Sequence, residues 1–155
     1  MNDARWFEID QAVAAAVRHF TGAKELFNRL PGIAPEIDRY GFEMGFMHAM
    51  QSGQTSLEAA LLRILDLCGE ATPTGSRWWQ ADLIARAAHP VGERPAILSA
   101  DAARAADETR RFRSIAAHAY DAFDYTQATR AVEGAALVAS LLPSEIARFR
   151  QAIDP

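Results

Sequence analysis

The sequence predicts an all-α protein, an antiparallel bundle of long helices followed by shorter C-terminal ones, in a single domain over residues 1–155. Three observations predict it. Apolar residues recur at three- and four-residue spacing along most of the chain. Proline and glycine gather at a few points between those stretches. No convincing pair of strands interrupts them. Half of the 155 residues are apolar, enough to bury a core without staples.

The first helix is expected from Asp3 to Leu30. Trp6, Ile9, Val13, Val17, Phe20, Leu26 and Leu30 keep one broad apolar face. Thr21-Gly22 could bend or divide it, and Pro31-Gly32 with Pro35 ends it, because proline cannot continue the hydrogen-bond ladder.

The second helix runs from Glu36 to about Gly69, roughly 50 Å long if unbroken. Gly41, Gly45, Ala49 and Gly53 form a smooth stripe, suited either to close packing inside the domain or to a dimer seam. Thr55 and Glu58 have capping-box spacing, which raises a break near Ser52–Gln54. One long helix is favoured, because the pattern resumes in phase at Leu57, Leu61, Ile64 and Cys68. Met44, Met47 and Met50 read as flexible core filler, and His48 as a surface or satisfied core histidine. It has no neighbour at metal-ligand spacing.

After a turn-rich link containing Pro73 and Gly75, Ser76 caps a third helix from Arg77 to about Ala88. Of Trp78 and Trp79, one is expected in the core and one at its rim. Base stacking is disfavoured there, since no basic–aromatic alternation surrounds them. His89-Pro90 closes this helix, and Val91–Leu98 is a loop.

Ser99 caps the fourth helix, with Asp101 at the positive end of its dipole. Leu98, Ala102, Ala105, Thr109, Phe112, Ala116 and Ala119 make a seam of small and medium residues, and the helix should end near Tyr120. Asp124 with Gln127 opens a fifth helix to about Leu142. Pro143 then suits the first turn of a last short helix ending near Ile153.

Composition narrows the function. Cys68 is the lone cysteine, so no intrachain disulfide forms, and a reducing compartment fits. The N-terminus MNDARWFEIDQ lacks a signal-peptide layout, and the runs Ala12–Val17 and Ala135–Ala139 are too short to span a bilayer. A cytoplasmic protein with no membrane association is expected. The net charge of −4 argues against broad, non-specific nucleic-acid binding. Local charge says more: Arg104, Arg110, Arg111 and Arg113 lie on one short segment, offset by Asp101, Asp107 and Glu108. No glycine-rich phosphate loop or metal-ligand spacing occurs, so no cofactor or metal is expected.

The stretch Arg113 to Tyr120, RSIAAHAY, concentrates the chemistry. RNA is cut without a metal when its own 2′-hydroxyl attacks the adjacent phosphate. That reaction needs proton transfer, which suits His118, and stabilisation of new charge on phosphorus, which suits the planar, permanently charged fork of Arg113. At 100° per residue Arg113 and Tyr120 share a stripe, whereas His118 lies about 140° from Arg113. Either the last turn loosens, or long side chains swing together, or two subunits complete the site. The residues by themselves favour a plainer reading. His118 would cap helix carbonyls, Arg113 would be a surface charge, and Tyr120 a rim aromatic.

In its order of arginine, four residues, histidine, one residue, tyrosine, the stretch resembles the signature of HepT toxins, of the HEPN superfamily of all-helical ribonucleases. The segments FMHAMQSGQTSLEAALLRIL and ERPAILSADAARAADETRRFRSIAAHAYDAF are also similar to HepT-like domains, from about Tyr40 to the C-terminus. The resemblance implies a HEPN-type bundle and a metal-independent RNA endonuclease toxin. Arg113 and His118 would be catalytic, and paired motifs would meet across a homodimer cleft. It implies a minimal nucleotidyltransferase as cognate antitoxin, able to silence the toxin by adenylating Tyr120. Ser114 departs from the asparagine, aspartate or histidine common after the motif arginine; it keeps a hydrogen-bonding group with shorter reach. The alternative is a non-catalytic HEPN protein that binds the nucleotidyltransferase or presents a nucleotide to it.

Overall fold

The computed structural model describes residues 4–118 and 125–154, and regular structure there is helical apart from one isolated bridge between Val91 and Arg94. In chain order the elements are α1 (Ala4–Arg29), a 3-10 turn (Leu30–Gly32), α2 (Glu36–Leu67), α3 (Trp79–Ala87), α4 (Ala100–His118) and α5 (Tyr125–Ile153). The all-α prediction therefore holds. No helix among the described residues is long and apolar enough to cross a membrane.

α1 packs on α2 and α5, while α4 packs on α5 and α2, with the short α3 against α4 and α2. α1 runs antiparallel to α2 and to α5. Arg63 late in α2 pairs with Glu8 early in α1 at 3.3 Å. Arg150 late in α5 lies 4.9 Å over the Trp6 ring and 3.6 Å from Asp10.

The small-residue stripe of α2 is used within the domain. A Cβ on Gly53 would lie 2.6 Å from the Phe20 ring of α1, and one on Gly45 would touch Leu26 at 3.5 Å. Ala49 is buried, whereas Gly41 faces open space. Phe46 joins the layers by stacking near Phe27 of α1 and Phe112 of α4, with centroids 5.5 and 5.6 Å apart.

α2 is unbroken, so Thr55 and Glu58 do not start a new helix. Leu57, Leu61 and Ile64 hold the second half on the same core as the first. Trp79 packs half-buried against that core and Trp78 stays outside, as expected for a core–rim pair. α3 begins at Trp79 and not at Arg77, with Trp78 at the cap position, so Ser76 is not its cap; its hydroxyl instead accepts from the Trp78 N–H at 2.9 Å in the turn before the helix.

The loop after α3 is fastened by a residue the sequence reading passed over. Arg94 is buried and binds the Glu70 carboxylate with two of its nitrogens. It also donates to the carbonyls of His89 at 2.9 Å, Pro95 at 3.1 Å and Arg86 at 3.3 Å.

The C-terminal region needs one correction. The predicted break before Pro143 does not occur, and α5 is a single helix with Pro143 inside it. Proline there costs the Ala139 carbonyl its helical donor. Buried Val138, Leu142, Ile146 and Phe149 nevertheless keep one seam in phase through the proline. Glu145 anchors the same half. Its carboxylate accepts from the Ser99 N–H at 2.7 Å and the Ser99 hydroxyl at 2.6 Å. Ser99 Oγ in turn accepts from the Ala102 N–H at 3.1 Å, the predicted N-cap of α4. Tertiary packing outweighs the local rule. The capping box expected from Asp124 with Gln127 lies outside the described residues and side chains.

Candidate functional site

The site is built where α4 crosses α2, from two pairs of residues each four apart. Gln54 and Glu58 share one face of α2, and Thr109 and Arg113 share one face of α4. The pairs meet in register. Thr109 Oγ1 lies 2.5 Å from Gln54 Oε1, with the Ala106 carbonyl at 2.9 Å competing for its proton. Gln54 Nε2 donates to Glu58 Oε2 at 3.2 Å. Arg113 Nη1 and Nη2 then donate to Glu58 Oε1 and Oε2 at 2.9 and 2.8 Å, a two-toothed ion pair.

Burial gives the pair its weight. The Glu58 side chain is 6% exposed and that of Arg113 21%. A carboxylate so enclosed is tolerable only because the guanidinium and the Gln54 amide satisfy it. Glu58 was read from the sequence as half of a capping box, and its real partner lies on another helix. The signal that could have found it is the matched four-residue spacing of polar residues within two otherwise apolar seams.

Arg113 also lines a cavity of about 440 Å³ with its neighbour Ser114. Arg110 of α4, Thr55 of α2 and Arg77 with Trp78 at the start of α3 complete much of its wall. Arg110 is offset by Asp107, at 2.8 Å, on its own helix. Among the described residues no carboxylate pairs with Arg77, whose guanidinium lies 4.7 Å over the Trp78 ring. The cavity thus has a cationic rim, two of whose three arginines are already partnered. Chemically it can receive an anion, and Glu58 fixes the plane in which Arg113 would meet it.

α4 stays helical through His118, so the backbone does not loosen between Arg113 and His118. Their register positions remain about 140° apart. The side chain of His118, and Tyr120 as a whole, lie outside the described residues. Among the described residues, no group of three or more His, Cys, Asp or Glu side chains is placed to hold a metal ion. Cys68 is half-buried beyond the far end of α2, its thiol pushed up by burial and then by the Glu70 carboxylate, and is no part of the site.

An antiparallel all-α bundle with an Arg-x4-His motif at the end of its fourth helix fits a protein of HEPN type. A family model described as HepT-like protein matches residues 45–153, from the first half of α2 to the end of α5. The chain belongs to this HepT-like family. No curated protein and no solved structure matches it.

Proposed function

We propose that this protein is a metal-independent RNA endonuclease, the toxin of a toxin–antitoxin pair, working in the cytoplasm as a homodimer with residues 1–155 as one domain. The observation that carries the reading is Arg113. It lines a cavity with two further arginines on its rim, a setting that can receive a phosphate.

In the proposed reaction the 2′-oxygen of RNA forms a bond to the adjacent phosphorus and the bond from phosphorus to the 5′-oxygen breaks. One His118 takes the proton from the 2′-hydroxyl. A second His118, from the partner subunit, gives a proton to the leaving oxygen. Arg113 stabilises the charge on the phosphoryl oxygens. The products are a 2′,3′-cyclic phosphate and a 5′-hydroxyl. Two copies of the motif answer the angular separation of Arg113 and His118 on α4. The antitoxin is a minimal nucleotidyltransferase that adenylates Tyr120, adding bulk and negative charge where the RNA phosphate sits.

A specific observation favours a second reading. Glu58 already neutralises Arg113, and Ser114 replaces a longer polar side chain beside it. Both fit a non-catalytic protein that binds the nucleotidyltransferase or presents a nucleotide to it. Purified protein incubated with total RNA in EDTA decides between them, with light scattering to establish the dimer. Cutting by a dimer supports the toxin. No cutting, with tight binding of the nucleotidyltransferase, supports the second reading.

A further inference from the structure

Trp78 is a large apolar side chain that the core does not use. The residue is 61% exposed, while Trp79 beside it packs inward. Its backbone is nevertheless fixed. The Trp78 N–H donates to Ser76 Oγ at 2.9 Å, and its carbonyl accepts from the Asp82 N–H at 3.0 Å as α3 begins. Arg77 lies over the ring and has no carboxylate partner among the described residues. Both residues line the cavity that Arg113 lines, as do Gln51 and Gln80. An exposed indole on an anchored backbone, an unneutralised guanidinium and glutamines whose amides can pair with base edges are the parts of a single-strand binding site. No local alternation of basic and aromatic residues announces it, because Arg110 and Arg113 arrive from α4.

We propose that Trp78 is a stacking platform for an unpaired base of single-stranded RNA, with Arg77 as the clamp on its neighbouring phosphate. The platform holds the strand so that a phosphate farther along reaches Arg113. The cavity, at about 440 Å³, is within the usual range of roughly 300–1,000 Å³ for sites that enclose a small molecule or a single nucleotide. This inference rests on RNA being the ligand of the proposed function, but it concerns binding and not bond cleavage, so the two can fail separately.

The test is fluorescence anisotropy of a labelled single-stranded 2′-O-methyl RNA octamer in EDTA, which lacks the attacking 2′-hydroxyl and stays whole, with a 2′-O-methyl RNA duplex and AMP as competitors. Wild type, Trp78→Ala, Trp78→Phe and Arg77→Ala are compared, with thermal midpoints to show that each folds. Trp78→Ala should weaken octamer binding roughly 5- to 150-fold, the range of losing one stacked base. Trp78→Phe should recover most of it. Arg77→Ala should weaken binding and flatten its salt dependence by about one phosphate contact. Octamer affinity unchanged in Trp78→Ala overturns the proposal, and if that protein still cuts RNA the ribonuclease reading stands without it. Trp78-dependent binding by a wild type that never cuts supports the platform and removes the ribonuclease. Competition by duplex or AMP as strong as by the octamer overturns the single-strand assignment, in favour of a duplex or mononucleotide site.

Discussion

Glu58 of α2 holds Arg113 of α4 with one carboxylate oxygen on each guanidinium amino group, at 2.9 and 2.8 Å. The pair joins two helices and also orients the arginine at the cavity. Arg113→Ala would leave Glu58 enclosed without its cation, and should lower stability by about 3 kcal/mol. Replacing both residues by methionine should recover most of that loss, since neither charge is then stranded. Urea unfolding of the two variants measures this. A loss of only about 0.5 kcal/mol for Arg113→Ala, typical of a surface change, would contradict the account of the pair.

The glycines of α2 should separate by what they face. Gly53→Ala places a Cβ against the Phe20 ring at 2.6 Å and should cost about 1–3 kcal/mol through overpacking, less what the helix gains. Gly41→Ala meets nothing within 4 Å and should stabilise by about 0.5–1 kcal/mol. Thermal or urea unfolding of both variants distinguishes them. Equal effects would mean that the close α1–α2 approach is not as described.

His19 is held below the usual imidazole range by partial burial first, then by the Arg18 charge and by His48. The unfolded chain takes up this proton near pH 6.5, whereas the folded protein resists it until lower pH. As pH falls through that window, protonation therefore favours the unfolded state and stability drops, levelling off below the folded value. His48→Ala removes one repelling group and should move His19 back towards its ordinary value. Proton NMR titration of His19 in wild type and His48→Ala reads this directly, and a wild-type midpoint at or above about 6.5 would refute it.

Much of the fold is legible in the sequence because it is local. The unbroken α2 follows from Leu57, Leu61 and Ile64 continuing the earlier phase, and the Ser99 cap from one hydroxyl and its position. What misleads is local too. Pro143 reads as a helix start, yet Leu142, Ile146 and Phe149 carry α5 through it. Glu58 reads as a cap because Thr55 is near in sequence, while Arg113 is near only in space. The candidate site was legible through Arg113 and Ser114, which do line one cavity. Its Glu58 support and the cationic surroundings of Trp78 were not, because they depend on how α2, α3 and α4 cross.

Silencing through Tyr120 gives a further prediction. If the nucleotidyltransferase adenylates that hydroxyl, Tyr120→Phe should keep the dimer and much of the RNA cleavage, since the ring is retained. It should resist silencing. Intact mass and cleavage are measured with and without the partner and ATP. Adenylate mass still gained by Tyr120→Phe would place the modification elsewhere.

In the proposed function Arg113 and His118 cut RNA through its own 2′-hydroxyl. Single-turnover cleavage of a defined single-stranded RNA in EDTA tests it most directly, with wild type, His118→Ala and Arg113→Lys, and with a copy of the substrate carrying a 2′-deoxy sugar at the cut. Arg113→Lys keeps a charge opposite Glu58 but loses the fork, so folding survives while the rate should fall about 10²-fold or more. His118→Ala should fall at least about 10²-fold, the deoxy substrate should stay whole, and the wild-type product should end in a 2′,3′-cyclic phosphate. Cleavage by His118→Ala at the wild-type rate, or cutting of the deoxy substrate at the same bond, would contradict the claim.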